Sequence, residues 1–102
     1  MKLTQPTDFE ILEMLDDHGR NVAANLAIHL DRDRAYLNTR LPYLLDYGLV
    51  EKIGPSDKSG LYEITDHGRT ALECRNQYDD VDPHEFRQLV TEATGQRSTS
   101  DR

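Results

Sequence analysis

The chain has 102 residues with 19 Asp and Glu against 12 Lys and Arg, a formal net charge of −7 and a mean hydropathy of −0.75. That length supports one domain around one modest core, and no apolar run approaches the ~20 residues of a bilayer-spanning helix. A single cysteine, Cys74, excludes a disulfide or a cysteine-built zinc site within one chain, and its Ala-Leu-Glu-Cys setting reads as a small core thiol in a helix.

The opening MKLTQPTDFE lacks the apolar stretch of a secretion signal, so a cytoplasmic location is expected. Thr7-Asp8-Phe9-Glu10 has the form of a capping box, in which the Thr7 hydroxyl accepts from the backbone N–H three residues on and Glu10 reaches back. The helix it opens carries Phe9, Ile11, Leu12 and Leu15 on one side and Glu10, Glu13, Asp16 and Asp17 on the other, and Gly19 is suited to end it. Residues 22–30 give a second helix with Leu26, Ala27 and Leu30 as its apolar side. Asp31-Arg32-Asp33 is a polar turn, with Asp33 placed to cap a third helix. That helix starts at Arg34, carries Leu37, Leu41, Leu44 and Leu45 at helical spacing, and ends at Gly48. Pro42 lies inside it on the outward side, where it removes one backbone hydrogen bond at a cost of about 3 kcal/mol. A kink is expected there, or else a helix that stops at Leu41.

Residues 49–53 and 61–65 are rich in β-formers and flank a seven-residue loop, Gly54-Pro55-Ser56-Asp57-Lys58-Ser59-Gly60, which reads as a β-hairpin. The connection is longer than the two-residue turns that merely reverse a chain. A long polar loop tipped by Lys58 suits a hairpin that reaches outward to a partner. Thr65-Asp66 then caps a fourth helix containing Ala71, Leu72 and Cys74, and residues 77–82 form a polar, acidic connector. Asp82-Pro83-His84-Glu85 is a helix start with an N-cap, a proline at the first helical position and a glutamate at the third. Phe86, Leu89, Val90 and Ala93 follow on one apolar stripe, and Gly95 is expected to end the helix and leave 95–102 as a disordered tail.

Three short helices, the second and third joined by a tight turn, followed at once by a hairpin, is the order of a winged helix-turn-helix. The run from Asp33 through Gly48 into Leu49-Val50, with Tyr62-x-Ile64-Thr65-x-x-Gly68 after the hairpin, resembles the pattern shared by winged-helix transcription regulators, over about residues 8–74. Arg40-Leu41-Pro42 and Asp46-Tyr47-Gly48-Leu49-Val50, in a chain with 12 Asp but only 3 Lys, resemble the PhiH-type phage-repressor-like proteins of haloarchaea. The resemblance implies a mostly α fold with a β-hairpin wing (α+β), a winged helix-turn-helix over 7–75 followed by a C-terminal amphipathic helix over 82–94. It also implies a sequence-specific regulator of transcription, a repressor, binding double-stranded DNA in a high-salt cytoplasm. Operators are usually read by two-fold dimers. A homodimer through Phe86, Leu89, Val90 and Ala93 is therefore the preferred use of the last helix, and folding back onto the first helix as extra core is the alternative.

The residues point to the same site without the resemblance. At 3.6 residues per turn the leucine stripe of the third helix leaves Ala35, Tyr36, Thr39, Tyr43 and Asp46 outward, with Asn38 and Arg40 on the flanks and Arg34 in the free first turn. Arginine suits a guanine edge or a phosphate, asparagine an adenine, and the methyls of Ala35 and Thr39 a thymine methyl. Arg34, Asn38 and Thr39 are the expected base readers, and Arg32, Arg40, Tyr36 and Lys58 the expected backbone contacts. Residues 31–60 hold five basic and five acidic side chains, so the net −7 lies elsewhere. At about 1 M salt the Debye length is ~3 Å, and an acidic body no longer repels DNA at a distance. Affinity then has to come from specific hydrogen bonds and fit.

His18, His29, His67 and His84 share no metal-ligand spacing, and Asp79, Asp80 and Asp82 lack the glycine and glutamate of an EF-hand loop. With no Ser/His/Asp set and no phosphate-cradling glycine loop, no catalytic residue, metal or cofactor is expected, and an enzyme is disfavoured. The alternative to a DNA reader is a winged-helix protein–protein interaction module, for which the acidic surface and the C-terminal apolar stripe would serve.

Overall fold

In the computed structural model of the chain, residues 1–54 and 60–100 are described, the side chains of 97–100 excepted. The elements run α1 (Thr7–His18), β1 (Asn21–Val22), α2 (Ala23–Leu30), α3 (Arg34–Asp46), β2 (Val50–Ile53), β3 (Leu61–Ile64), α4 (Asp66–Glu73), a 3-10 turn (Arg75–Asp80) and α5 (Pro83–Ser100). The three strands form one antiparallel sheet in the order β1-β3-β2, with Val50 opposite Ile64, Lys52 opposite Tyr62 and Asn21 also opposite Tyr62. This is a winged helix-turn-helix with an added C-terminal helix, as the element order implied. Among the described residues no helix is long and apolar enough to cross a membrane.

Local chemistry places α3. The Asp33 side chain accepts from the Ala35 N–H at 2.9 Å and caps the helix, as expected. Leu37, Leu41 and Leu44 are fully buried, so one face of α3 is fixed against the core. The helix runs through Pro42 to Asp46, which removes the alternative of a stop at Leu41. Pro42 sits on the exposed side, where water can reach the Asn38 carbonyl that the missing N–H leaves unpaired. A Schellman turn ends α3: the Leu49 N–H donates to the Leu44 carbonyl and the Gly48 N–H to the Leu45 carbonyl, each at 3.0 Å. Gly48 takes φ 74°, which a side chain would resist.

The Thr65-x-x-Gly68 pattern ties this turn to the next helix. The Thr65 hydroxyl accepts from the Gly68 N–H at 3.0 Å and donates to the Gly48 carbonyl at 2.6 Å. The Thr65 N–H donates to the Leu49 carbonyl at 3.1 Å. A Cβ on Gly68 would run into that same Leu49 carbonyl oxygen, so only glycine lets α4 lie this close to the strand.

Several expectations are corrected. Thr7 does not cap α1; it is the first helical residue, is buried, and makes no capping bond. The reach-back comes from Asp8, whose carboxylate accepts from the Thr4 N–H at 2.8 Å, while Glu10 is drawn to Arg32 instead. Residue 22 ends a two-residue strand rather than starting α2; β1 is too short to show an alternation and exists because β3 offers it a free edge. The connector is a 3-10 turn whose Tyr78 ring packs edge-on against Phe9 and Phe86, at centroid distances of 5.7 and 5.0 Å. The Tyr78 hydroxyl accepts from the Leu3 N–H at 2.7 Å and donates to the Leu3 carbonyl at 2.9 Å.

The last helix also departs from its preferred use. Phe86 and Val90 are fully buried in the core of the same chain, with Leu89 packed against it and Ala93 half-buried. The stripe therefore completes the core, because Phe9 and Tyr78 give Phe86 aromatic partners within the chain. The Asp82 side chain caps the start of α5 by accepting from the Glu85 N–H at 2.8 Å. At the other end the helix continues past Gly95 to Ser100; a glycine inside a helix costs about 1 kcal/mol without breaking it.

Candidate nucleic-acid interface

The outer face of α3 carries most of the expected readers. Arg34, Ala35, Asn38 and Thr39 are exposed, with Tyr36 at 38% and Tyr43 at 51% exposure beside them. The Thr39 hydroxyl donates to the Tyr36 carbonyl at 2.6 Å, so its single hydrogen is used within the helix and its methyl becomes the outward group. Arg34 makes no ion pair or hydrogen bond among the described residues and keeps all five of its N–H donors.

The other two arginines are differently placed. Arg40 donates from Nε and Nη2 to the two oxygens of Asp8, at 3.0 and 2.8 Å, and its guanidinium lies 4.7 Å from the Tyr43 ring centroid. Asp8 has no exposed surface, and its hydrogen bonds and charge raise the Arg40 pKa above the ordinary value despite the opposing effect of burial. Arg32 donates from Nε and Nη2 to one oxygen of Glu10, at 3.3 and 2.8 Å. Two of the expected backbone contacts are thus paired to α1. Lys58, with Ser56 and Ser59, lies outside the described residues.

The crystal structure of T. acidophilum IdeR is similar to this chain, with a TM-score of 0.47 and 16% sequence identity. The likeness covers 93% of this chain and 48% of that one, so the chain spans about half the length of that protein. No protein-family model matches the chain, and no curated protein is significantly similar to it.

Residues that sequence reasoning missed lie beside this face. In the sequence Asp8 has no assigned role and Glu10 reads as a capping partner and a solvated acid, because their arginines are 32 and 22 residues away and no local pattern joins them. Ile28 was not among the apolar positions assigned to α2, yet it is the most exposed of the large hydrophobic side chains, at 77%. Between α4 and α5, His67 is half-buried, with Nδ1 3.1 Å from the Thr94 hydroxyl; burial, then the charge of Arg87, lowers its pKa. His18 and His29 stack at 6.2 Å, and among the described residues no group of three or more His, Cys, Asp and Glu is arranged to hold a metal ion. Cys74 is half-buried, and burial followed by the charge of Glu73 pushes its thiol pKa up, which makes it a poor nucleophile.

Proposed function

We propose that the protein is a sequence-specific, double-stranded-DNA-binding regulator of transcription, acting as a repressor, that reads its site with the outer face of α3. The observation that carries this reading is the contrast on that helix. Its leucines lock one side into the core, while Arg34, Ala35, Asn38 and Thr39 stand together in solvent with their base-reading groups free. Arg34 supplies a donor fork for guanine or phosphate, Asn38 a matched donor–acceptor pair for adenine, and Thr39 and Ala35 methyls for thymine. Tyr36 flanks them toward the backbone, and Lys58 belongs to the hairpin that would lie beside the helix on the duplex.

The net charge of −7 opposes long-range attraction to DNA in dilute buffer, so the working medium of this reading is a salt-rich cytoplasm. Two copies on a two-fold operator are the proposed assembly, with the contact between them on residues other than Phe86 and Val90. The test is selection of bound duplexes from a randomised library in molar potassium chloride. Enrichment of a two-fold motif is the expected result. No enrichment by folded protein would reject the reading and favour an interaction module, for which the exposed Ile28 would be the natural anchor.

A further inference from the structure

The turn between α2 and α3 is fixed at every point around Arg32. The Arg32 N–H donates to the Ala27 carbonyl at 2.9 Å and the Asp31 N–H to the Ile28 carbonyl at 3.3 Å, closing α2 with Asp31 in the left-handed region at φ 52°. Asp33 then opens α3. The Arg32 side chain is held as well, since Glu10 takes its Nε and one Nη2 hydrogen. A guanidinium has five N–H donors, so both Nη1 hydrogens and one on Nη2 remain. Among the described residues no buried side-chain nitrogen or oxygen lacks a partner, which puts Nη1 in contact with solvent.

An open groove of about 560 Å³ lies alongside, lined by Ala24, Ala27, Ile28, Asp31, Arg32 and Arg34. It combines two guanidinium groups with an apolar side chain that is 77% exposed. A sugar–phosphate chain alternates an anion with the apolar face of a deoxyribose, and that alternation is what the groove complements. We propose that the groove seats one sugar–phosphate unit of the duplex, Ile28 against the sugar and Arg32 on the phosphate, with Arg34 at the end of the groove left for a base edge, and that Glu10 is the positioning residue that presents Arg32. This rests on the DNA reading of α3. Asp31 on the rim and Glu10 behind Arg32 offset much of the local positive charge, so the fixed direction of Arg32 matters more than its charge. A free arginine surrenders rotamer freedom when it grips a phosphate; Arg32 has already done so in the free protein.

Two substitutions separate positioning from charge. Glu10→Ala and Glu10→Gln remove the same negative charge, but only glutamine keeps an acceptor for Arg32. On a duplex selected in molar potassium chloride, Glu10→Ala is expected to bind on the order of fivefold more weakly than Glu10→Gln, and Arg32→Ala is expected to close that gap. Arg32→Ala should also lower the slope of log affinity against log salt by about one, whereas Ile28→Ser should weaken binding and leave the slope alone. Equal affinities for the two Glu10 variants overturn the positioning role. So does a Glu10→Ala protein that binds more tightly than the unaltered chain, which would show Glu10 withholding Arg32 from DNA. Unchanged binding by Ile28→Ser removes the sugar seat. If the unaltered, folded protein binds no duplex at all, the DNA reading falls and the proposal with it.

Discussion

On the side of α3 that meets α1, Leu37, Leu41 and Leu44 have no exposed surface, and Arg40 gives two hydrogen bonds to a carboxylate that is itself fully buried. On the opposite side Arg34, Ala35 and Asn38 stand in solvent, and Thr39 turns its hydroxyl back to the helix. The two faces belong to one 13-residue helix, so propensity and chain position are nearly the same for both. What differs is whether each group already has a partner in the folded chain. The inner face is committed to holding the fold together, and the outer face is left with donors and methyls that a partner could use. Substitutions should therefore separate cleanly into those that unfold the protein and those that only blunt recognition.

The comparison breaks most visibly where the packed side extends beyond α3. Phe86→Ala removes a fully buried ring that meets both Phe9 and Tyr78. It is expected to cost about 3–5 kcal/mol of unfolding free energy in urea titration. The loss should be independent of protein concentration, because the ring packs within the chain; a loss that appears only in dilute protein would mean that α5 joins two subunits. Asp8→Ala is expected to cost a similar amount, about 3–5 kcal/mol. It strands the Arg40 guanidinium, which is only 14% exposed, and leaves the Thr4 N–H without its acceptor. The intact pair need not add much net stability, since burying two charges costs nearly what their attraction returns. Replacing Asp8 and Arg40 together by apolar residues should therefore be much milder than replacing Asp8 alone.

On the outer face the expected pattern is reversed. Arg34→Ala and Asn38→Ala should each leave unfolding within about 0.5 kcal/mol and each weaken binding to the selected duplex by about 1–3 kcal/mol. Relaxed discrimination at one base position should accompany each loss. A double variant that is equally stable and binds with undiminished affinity would end the assignment of this face.

The same division explains what could be read from the sequence. The Asp33 cap, the leucine stripe, the Gly48 turn and the Thr65 cap all act within a few residues of themselves, so local spacing exposes them. The pairs Asp8–Arg40 and Glu10–Arg32, the β1 strand and the ring contacts of Tyr78 join segments far apart in the chain, and nothing local announces them. The Thr7 capping box shows the cost of reading locally: its pattern is present, but Arg32 competes for the glutamate and the core takes the threonine. The outward residues of α3 were legible because helical periodicity alone decides which side faces away from a leucine stripe. Which of the nearby arginines remained free was not, because the carboxylates that claim Arg32 and Arg40 sit on another helix.

The smallest expected effect sharpens the comparison from the packed side. His67 Nδ1 lies 3.1 Å from the Thr94 hydroxyl, whose only hydrogen goes to the Val90 carbonyl at 2.7 Å. Nδ1 must therefore bring the hydrogen to the contact, and Nε2 is the nitrogen that titrates. Burial, then the charge of Arg87, holds the folded pKa below the ordinary 6.5. The unfolded chain then takes up this proton at higher pH than the folded one. The stabilisation is complete above about pH 6.5, shrinks as pH falls through that value, and levels off once the depressed folded pKa is passed. His67→Gln keeps a donor for Thr94 without titrating, so its thermal midpoint should vary less than that of the unaltered chain between about pH 7 and pH 5. Arg87→Gln should lessen the acid loss without abolishing it, since burial is the larger cause. Matching profiles for the unaltered chain and His67→Gln would mean that the α4–α5 contact is indifferent to this charge. No histidine lies on α3, so the protonation of His67 should act on the α4–α5 contact and leave the charges of the reading face unchanged.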